Sequence, residues 1–442
     1  MKHLFLVAWC GLVIATAQAA QIKADPNTYL DRLRQLKPGD ELQLAPGTYT
    51  KGLPILSLVG DAQRRIVISG AGPNKTRLVA QPFRNTVSIV DAAYVTIRNL
   101  LLDGQGMPAD GIRAEGHAHW AHHITIENVA IVNHGANQGY VGISTKCPAW
   151  GWVIRNNRIV GAGTGMYLGN SDGRAPFVNG LIEENLIVGS LGYNLQIKHQ
   201  APRPSLPDMP TGDNVTIIRR NVLVKAVNSS RGKDARPSML VGHWPLQGPG
   251  QYDRYDIYGN LFYGNPSEAL FQGEGNLALY NNLFVNPTGD AINIQPHNDV
   301  PKQVAVFHNT VLAMGNGINL RNGLLGTEYR QYIQRNAIFA TYPVRGGEQA
   351  HNVIGDWAAA KKYLSAPTGK PGKLRLDPLP GMLLLNEPTP AWMSGLTESD
   401  MDYDARPSHH DYVGAYAETA RWPLGLRHHQ IVDVSSSGDK KP

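Results

Sequence analysis

The segment Ile154-Arg-Asn-Asn157-Arg-Ile159 returns along the chain as Ile182-Glu-Glu-Asn185-Leu-Ile187 and Ile218-Arg-Arg-Asn221-Val-Leu223. Further copies run over Ile257–Phe262, Leu279–Phe284, Val306–Val311 and Ile333–Ile338, and two earlier ones, Val95–Leu102 and Ile124–Ile131, contribute Asn99 and Asn128 to the series. A pattern that returns every 22 to 39 residues indicates a solenoid whose units stack on their neighbours. Equivalent asparagines would then lie above one another, so we expect their amides to hydrogen-bond along the stack.

Most units hold a second short strand of the form Gly-Ile-x-Leu-x. Its copies begin at Gly111, Gly142, Gly165, Asn194, Ala291 and Gly317. Short alternating strands without helical periodicity between them favour stacked β-coils. A propeller blade needs about 40 residues and four strands, more than these units supply, and a sandwich is the remaining alternative. The sequence therefore predicts an all-β protein, a single-stranded right-handed parallel β-helix.

The composition is rich in turn-forming residues and modest in charge. Gly and Pro account for 47 and 30 of the 442 residues, and charged residues for 17%, against about 25% in an average soluble protein. The 42% of hydrophobic residues are sufficient for a core and argue against disorder. The net charge of +6 comes without a run of Lys or Arg. We therefore expect an acidic polysaccharide or oligosaccharide as partner rather than nucleic acid.

The first residues have the pattern of a secretory signal. Lys2 precedes the apolar run 4–15, and Ala17-Gln18-Ala19 has the small-x-small form that signal peptidase cleaves. No later apolar run is long enough to span a membrane. The sequence therefore predicts a cleavable signal peptide over residues 1–19 and a periplasmic or secreted protein. Cys147 would be the one cysteine left after cleavage, which leaves no intramolecular disulfide.

The rest of the chain is predicted to form one domain. The β-helix would occupy residues 20–356, with a helical cap near 28–36 covering the strand edges of the first coil. Residues 357–434 show no coil repeat and are predicted to form an irregular C-terminal capping segment around the last coils. Residues 435–442 would be a flexible tail. We expect a monomer.

Two segments outside the repeats resemble a known superfamily. Leu36-Lys-Pro-Gly-Asp40-Glu-Leu-Gln-Leu-Ala-Pro-Gly47-Thr-Tyr49 resembles the first coil of pectin-lyase-like β-helix proteins, particularly polysaccharide lyases of the chondroitinase B and alginate lyase kind. Met401–Pro407 followed by Asp411–Tyr416 resembles their closing segment. With the coils between, the resemblance covers nearly the whole mature chain. It implies polysaccharide chemistry, but the superfamily includes lyases, uronate epimerases, glycoside hydrolases and phage-tail depolymerases, and a fold does not select among them.

Equivalent positions of a parallel β-helix form outward rows, because neighbouring coils lie about 4.8 Å apart. In the Gly-Ile-x-Leu-x strand the third and fifth residues should point outward. Polar, basic and aromatic residues occupy these positions in successive coils and form an outward stripe along the β-helix. A solvated face would also be polar, but it would favour Thr, Ser and Glu. The longest coils carry loops at 200–214, 226–237 and 244–254, and long loops on a rigid scaffold often carry function. Candidate catalytic residues are Lys198, His199, His243 and Glu274. Candidate substrate-binding residues are Lys146, Tyr167, Arg174, Gln196, Arg236, Trp244, Gln272, His297 and Arg321.

These residue types suit β-elimination on a uronate polymer. The reaction requires neutralisation of the carboxylate, removal of the adjacent proton and protonation of the leaving oxygen. Lys198 is the first candidate for the base, because burial among cations lowers the pKa of a lysine. His199 or His243 is an alternative base, acid or carboxylate neutraliser, and Glu274 would orient His243.

The resemblance adds a further expectation about the base. In the superfamily members named above, a Lys acts with a nearby Arg in proton abstraction and charge stabilisation. In this sequence Arg219 and Arg220 belong to the Asn-bearing strand, and we expect them on another face. Arg236 lies on a loop. The partner of Lys198 is therefore not fixed by the sequence.

Other functions remain open. A glycosidase usually needs two carboxyl groups about 5 to 10 Å apart, and Glu115 with Asp172, two coils apart, is the one pair that fits. A uronate C5-epimerase would share the first step of the lyase. A non-catalytic polysaccharide-binding or export protein would use the same stripe. No dense acidic cluster suggests Ca²⁺, so we expect neither metal nor cofactor.

Overall fold

The computed structural model describes residues 19–225, 228–321, 329–369, 372–408 and 411–420. The predicted signal peptide, apart from residue 19, and the predicted tail 435–442 lie outside the described residues. The described chain is built from stacked parallel coils, and the predicted right-handed parallel β-helix is confirmed. The one α-helix in the part of the chain that the structure describes is short, Tyr29–Leu33. Among the described residues, no helix combines the length and apolar character needed to cross a bilayer.

Each complete coil contributes one strand to each of three parallel strand rows. The first row is a sheet of 13 strands: Gln21–Ala24, Glu41–Leu44, Ile66–Gly70, Val95–Arg98, Thr125–Glu127, Val153–Arg155, Leu181–Glu183, Val215–Arg219, Arg254–Tyr258, Leu277–Tyr280, Val304–Phe307, Gln331–Gln334 and Glu348–Ala350. The second row follows the asparagine turn: Gly47–Tyr49, Thr76–Val79, Leu101–Asp103, Ala130–Val132, Arg158–Val160, Leu186–Val188, Val222–Val224, Leu261–Tyr263, Leu283–Asn286, Thr310–Leu320, Ala337–Arg345 and Val353–Gly355.

The third row, called here the site row, carries the candidate site. Its strands are Leu53–Leu56, Val87–Val90, Ile112–Ala114, Val141–Thr145, Thr164–Leu168, Leu195–Ile197, Met239–Val241, Phe271–Gly273 and Ile292–Ile294, continued by the second halves of Thr310–Leu320 and Ala337–Arg345. Four short strands beside it form a separate parallel sheet: Ala92–Ala93, Ala121–His122, Ala149–Trp150 and Phe177–Val178.

Aliphatic side chains stack in register through the core. Ile97 pairs with Ile126, and the same row continues through Ile154, Ile182 and Ile218. All five are fully buried. Burying a side chain of this size contributes about 1.5–3 kcal/mol, so the stacked rows give the site row a rigid support.

The predicted asparagine stack is present, and it begins at Asn157. The amide Nδ2 of Asn157 donates to Oδ1 of Asn185 at 3.0 Å, and each asparagine repeats this bond to the next along the helix. Its later members are Asn185, Asn221, Asn260, Asn282, Asn309, Asn336 and Asn352, with distances of 2.9–3.1 Å. Each Oδ1 also accepts the backbone N–H of the preceding asparagine, as between Asn157 and Asn185 at 3.1 Å.

The placement of Asn99 and Asn128 in this series was wrong. Both have positive φ, 59° and 50°, and lie at the turn position immediately before the ladder. Val129 occupies the ladder position in its coil, and its backbone N–H donates to Oδ1 of Asn157 at 3.0 Å. Asn128 Nδ2 instead donates to Asn99 Oδ1 at 2.7 Å, at the surface. The two asparagines fill a left-handed turn that Asn tolerates well.

The two ends of the β-helix are covered differently. At the start, Tyr29 and Leu33 of the short helix are buried against the first coils, but a longer cap over 28–36 is not evident. At the end, a 3₁₀ helix, Trp357–Lys362, leads to the antiparallel strands Leu364–Ala366 and Arg375–Pro378. Two further 3₁₀ turns are Gly232–Asp234 and Ala391–Met393.

The C-terminal segment lies along the coils and bonds to them. Asn281 Nδ2 donates to the carbonyl of Met401 at 2.6 Å. Arg220 pairs with Glu398 at 2.6 Å. Arg219 pairs with Glu183 at 2.8 Å and also with Glu398. Arg219 lies on the first sheet and Arg220 in the turn after it, on a different face from the site row, as expected from the sequence.

Candidate functional site

Strand pairing places the third positions of the site row in one line, although half of its members, Ser144, Gln196, Asn293 and Asn319, are buried. Its members, in order, are Arg113, Ser144, Tyr167, Gln196, Leu240, Gln272, Asn293 and Asn319. The prediction that these positions align is confirmed for seven of the eight. Leu240 was missed, because its coil reads Ser-Met-Leu-Val-Gly and lacks the recognisable motif.

The fifth positions form a second line beside the first. Backbone hydrogen bonds continue the ladder through Glu115, Lys146, Lys198, Gly242, Glu274, Gln295 and Arg321. Gly169 occupies this line between the two lysines, with φ of 90°. A Cβ atom at Gly169 would lie 3.3 Å from Cβ of Lys198. The glycine therefore leaves a gap between two lysines that belong to coils two apart.

Tyr167 lies beside this gap and contacts a lysine. The Nζ atom of Lys146 is 3.3 Å from the centre of the Tyr167 ring, and that of Lys198 is 6.0 Å away. The phenol oxygen of Tyr167 lies 3.2 Å from Ser171 Oγ. All three side chains are half-buried. Lys146, Tyr167 and Lys198, called here the lysine–tyrosine cluster, are the part of the stripe where basic groups converge.

The pKa of Lys146 is lowered to about 7, first by burial and then by the charges of Arg113 and Lys198, with Asp110 acting in the opposite direction. Arg113 is itself held by Asp110 at 3.1 Å and by Glu115 at 3.3 Å. The ring face of Tyr167 attracts the ammonium form. A lysine that titrates near neutrality can both accept and return a proton in the physiological range.

Burial also lowers the pKa of Lys198, helped by Arg236 and opposed by Glu274. Arg236 therefore lies within electrostatic reach of Lys198, although it comes from the loop between the second row and the site row. Its Nη1 donates to the carbonyls of Lys233 and Ala235, at 2.9 and 2.7 Å. Arg236 is therefore a candidate for the cation near Lys198 that the sequence left unassigned.

His199 and His243 lie side by side at one edge of the cluster. Their ring centres are 5.8 Å apart. Burial lowers the pKa of His199, and Lys198, His243 and His297 lower it further. Nδ1 of His199 is buried and makes no hydrogen bond among the described residues. Nδ1 of His243 lies 2.6 Å from the carbonyl oxygen of Trp244.

The structure gives Glu274 a different environment from the one predicted. It is buried, with an exposed fraction of 2%. Its Oε2 accepts the backbone N–H groups of His297, Asn298 and Asp299 at 3.0, 2.9 and 3.2 Å. The expected contact between this carboxylate and the His243 imidazole is replaced by a cap on the loop after Ile292–Ile294.

The prediction that Trp244 is an outward-facing, substrate-binding residue was wrong. It is 1% exposed and stacks on Tyr255 with ring centres 4.3 Å apart. Its indole N–H donates to the carbonyl of Asn276 at 3.3 Å. The side chain therefore belongs to the core, where both faces of the ring are covered.

The remaining predicted substrate-binding residues lie at different depths. Gln196 is 3% exposed, and its Oε1 is buried without a hydrogen bond among the described residues. Gln272 is half-buried and donates to Glu268 at 2.7 Å. Arg174, His297 and Arg321 are exposed. Arg321 lies five coils beyond Tyr167 along the site row.

Two residues near the cluster were not predicted. Lys225, which follows the strand Val222–Val224, is 6% exposed, and burial with the charge of Arg236 lowers its pKa to about 7. Tyr193 lies 6.0 Å from the guanidinium of Arg236, and burial raises its pKa. Both lie outside the two outward lines, so the coil pattern gave no signal for them.

The carboxylates of the stripe are engaged in hydrogen bonds. Glu115 accepts from Asn85 and Ser88, both at 2.7 Å, besides pairing with Arg113. Asp172 is exposed and accepts the backbone N–H of Arg174 at 3.0 Å. In the part of the chain that the structure describes, no group of three or more His, Cys, Asp or Glu could hold a metal ion. Cys147 beside Lys146 is buried, which raises its pKa to about 12.

Solved structures with a similar course of the chain include lyases and hydrolases. The alginate lyase AlyGC of polysaccharide lyase family 6 matches at a TM-score of 0.48 and 14% identity, over 76% of this chain and 51% of that one. An alginate lyase from Paenibacillus sp. matches at 0.44 and 16%, over 76% and 97%. The catalytic domain of a family 87 α-1,3-glucanase matches at 0.39 and 15%, over 79% and 68%.

This chain spans about half the length of AlyGC. No protein-family model and no curated protein matches the sequence. The parallel strand rows themselves define the protein as a right-handed parallel β-helix protein. A fold of this kind does not by itself fix a reaction, which depends on the side chains of the site.

Proposed function

We propose that this protein cleaves an acidic, uronate-containing polysaccharide by β-elimination at the lysine–tyrosine cluster. The observation that carries the proposal is the pair of lysines with lowered pKa values on either side of Gly169, whose Nζ atoms lie 3.3 and 6.0 Å from the centre of the Tyr167 ring. They sit on a rigid row with further cations, Arg113 and Arg236, around them. Such a site attracts a carboxylate and holds a neutral amine beside it.

The residues divide the reaction as follows. Lys146 in its neutral form takes the proton from the carbon next to the uronate carboxylate. Lys198 and Arg236 neutralise that carboxylate, which stabilises the negative charge that develops on it. The bond from the neighbouring carbon to the glycosidic oxygen breaks, a carbon–carbon double bond forms, and the Tyr167 hydroxyl supplies the proton to the leaving oxygen. Protons and electrons balance without an oxidant or cofactor.

The state of the carboxylates favours elimination over hydrolysis. A glycosidase uses one carboxyl group as a proton donor and a second as base or nucleophile. Glu115 is held by three donors, and Glu274 by three backbone N–H groups. Both carboxylates are engaged as acceptors of structural hydrogen bonds. The basic groups, in contrast, lie on the open row where a polymer would run.

The export of the protein is part of the same proposal. Extracellular and periplasmic spaces are where uronate polymers occur, and the N-terminal sequence has the form of a signal peptide. His199, His243 and the exposed Arg174, His297 and Arg321 would contact the polymer on either side of the cleaved bond. These residues are subsites in this proposal, not members of the reacting group.

In the decisive experiment, the purified protein is incubated with alginate, pectate, glycosaminoglycans or bacterial exopolysaccharides. The ultraviolet absorbance of unsaturated uronates is followed during the incubation. We expect an increase with at least one polymer, and its loss in the Lys146→Ala/Lys198→Ala variant. Lys233→Ala, an exposed lysine on the neighbouring loop, is the matched control and should retain activity. New reducing ends without absorbance would establish hydrolysis instead. Altered uronate stereochemistry by NMR without cleavage would establish an epimerase, and binding with neither change a binding protein.

A further inference from the structure

A second concave surface lies away from the site row. It is a groove of about 730 Å³ bordered by the loop 245–254, the first sheet near Leu277–Tyr280 and Val304–Phe307, and the C-terminal turn Ala391–Met393. Small-molecule sites typically enclose about 300–1,000 Å³. The groove is therefore large enough for a short oligosaccharide, and none of the residues assigned to the lysine–tyrosine cluster lines it.

Aromatic side chains form one wall and one rim of this groove. Trp392 stacks on Tyr332 with ring centres 4.7 Å apart and an angle of 7°, and its edge meets Phe307 at 5.3 Å. On the rim, Tyr252 is 67% exposed and Leu246 is 53% exposed. The stacked pair gives a fixed wall, whereas Tyr252 presents a free ring to a ligand. Flat rings with a polar tip suit ligands that have an apolar face and a hydroxylated edge.

The charged residues that line the groove all have the same sign. They are Arg254, Lys302 and Arg330, and the described lining contains no Asp or Glu. Arg254 is paired with Asp256, which lies beneath it, at 2.6 Å. Arg330 is exposed, and its Nη1 donates to the Tyr332 hydroxyl at 2.9 Å. An arginine held in this way keeps further N–H donors available for a carboxylate.

The segment that follows the C-terminal turn is fixed to the sheet through Thr397. Oδ2 of Asp256 accepts the hydroxyl of Thr397 at 2.7 Å and its backbone N–H at 3.2 Å. The hydroxyl of Tyr280 donates to the carbonyl of Thr397. Arg254 and this segment are thus held by the same carboxylate, so the groove is formed before any ligand arrives.

We propose that this groove is a second saccharide-binding site, which holds a carboxylate-bearing oligosaccharide without cleaving it. Tyr252 packs against the apolar face of a sugar ring, and Arg330 pairs with a uronate carboxylate. The site lies outside the reacting cluster and does not depend on the reaction proposed above. His243 and Tyr252 lie near opposite ends of the segment that joins the strands Met239–Val241 and Arg254–Tyr258, so this segment connects the two sites.

The test measures binding by calorimetry in the Lys146→Ala/Lys198→Ala variant, so that the cluster is disabled and the groove is intact. The probes are tetramers of galacturonate, guluronate and mannuronate, with neutral cellotetraose as the control ligand. We expect at least one uronate tetramer to bind and cellotetraose to bind at least ten-fold more weakly. Adding Tyr252→Ala and Arg330→Gln should weaken uronate binding at least ten-fold.

A control variant outside the groove and a further variant on its rim make the binding result unambiguous. Tyr342→Ala with Arg84→Gln changes a tyrosine that is also 67% exposed and an exposed arginine, both outside the groove, and should leave binding unchanged. Leu246→Asp places a negative charge on the rim and should also weaken it. The inference is overturned if no uronate tetramer binds, if cellotetraose binds equally well, or if the groove variants bind as tightly as their background. Turnover by the wild-type protein is scored separately, so the proposed reaction can fail while this site stands.

Discussion

The Nζ atom of Lys146 lies over the face of Tyr167, 3.3 Å from the ring centre. The two residues come from neighbouring coils, since Ser144 pairs with Tyr167 and Lys146 follows two positions later. Opposing influences meet at this amine. The ring attracts its protonated form, while burial, Arg113 and Lys198 lower its pKa to about 7. The lysine is thereby adjusted to lose and regain a proton.

The first prediction concerns the pH dependence of turnover. If Lys146 is the base, kcat/KM should rise as pH increases through about 7, because only the neutral amine accepts a proton. Lys146→Arg keeps the charge but stays protonated, so kcat should fall about 100-fold or more. Initial rates between pH 5.5 and 9, in steps of about half a unit, would show this. A full rising limb retained in Lys146→Arg would exclude the assignment.

A second prediction separates Lys198 from Lys146. Lys198 is one of the cations that lower the pKa of Lys146. In Lys198→Met the pKa of Lys146 should therefore move up, and the rising limb of the pH profile should move to higher pH. Because Lys198 also pairs with the uronate carboxylate of the substrate in the proposed reaction, its removal should raise KM. An unchanged limb together with unchanged KM would show that Lys198 is a solvated surface lysine.

Glu274 provides the third prediction. Its carboxylate accepts three backbone N–H groups of the loop 297–299. Glu274→Ala should leave these donors unpaired and lower the free energy of unfolding by about 1–3 kcal/mol or more. Glu274→Gln keeps an acceptor oxygen and should lose less. Urea unfolding measures the stability, and kcat measured beside it should stay near the wild-type value. A large loss of kcat in folded Glu274→Gln would restore the catalytic role first expected for this residue.

The fourth prediction concerns the asparagine ladder. Asn260 donates to Asn282 Oδ1 at 2.9 Å and to the carbonyl of Ile218 at 2.9 Å, and it accepts from Asn221. Asn260→Ala leaves several buried partners unsatisfied at about 1–3 kcal/mol each. We expect a loss of several kcal/mol in chemical unfolding. Asn27→Ala, at an exposed asparagine outside the ladder, should be near neutral. Equal losses in the two variants would contradict the role of the ladder.

Lys225 gives a prediction about stability and pH. Burial and Arg236 lower its folded pKa to about 7, whereas an unfolded lysine titrates near about 10.4. Between these values the unfolded chain binds more protons, so the free energy of unfolding should rise with pH, by at most about 1.4 kcal/mol per unit from this residue. Lys225→Met should flatten the rise, and the exposed Lys233→Met should not. The free energy of unfolding is measured by chemical denaturation at pH 7 and 9.5. An equal increase between these two pH values in Lys225→Met and in Lys233→Met would refute the prediction.

The fold could be predicted because its signal is repeated. Every coil restates the same alternation, so an error in one copy leaves the others intact. The displaced Asn99 and Asn128 illustrate the limit. Asn157 lies three residues after Ile154 and was correctly placed in the ladder, whereas Asn99 and Asn128 lie only two residues after Ile97 and Ile126. They therefore occupy the left-handed turn position that Asn156 has beside the completely buried Asn157.

The site was harder to predict because it combines rows with loops. Lys146, Tyr167 and Lys198 follow from the row positions alone. The position of Trp244 depends on how the chain leaves its strand, and the partners of Glu274 depend on the path of the loop 297–299. Spacing contains no information on either path. The alternation of core-facing apolar and outward polar residues fails at Leu240, which is apolar but occupies a third position of the site row. Trp244, four residues later, was therefore assigned to the surface although it lies in the core. Arg236 comes from the loop 226–237, which has no counterpart in neighbouring coils, and Lys225 directly precedes that loop.

The asparagine ladder also bears on how such a protein can change. Each ladder bond ties a coil to the next at one fixed point, although the ladder residues are 22 residues apart in one step, between Asn260 and Asn282, and 39 in another, between Asn221 and Asn260. Extra residues inserted between two such points are confined to the outer surface and leave the alignment of the coils intact. The solenoid thus tolerates growth of its loops, and new specificities can be grafted onto one face without redesigning the interior.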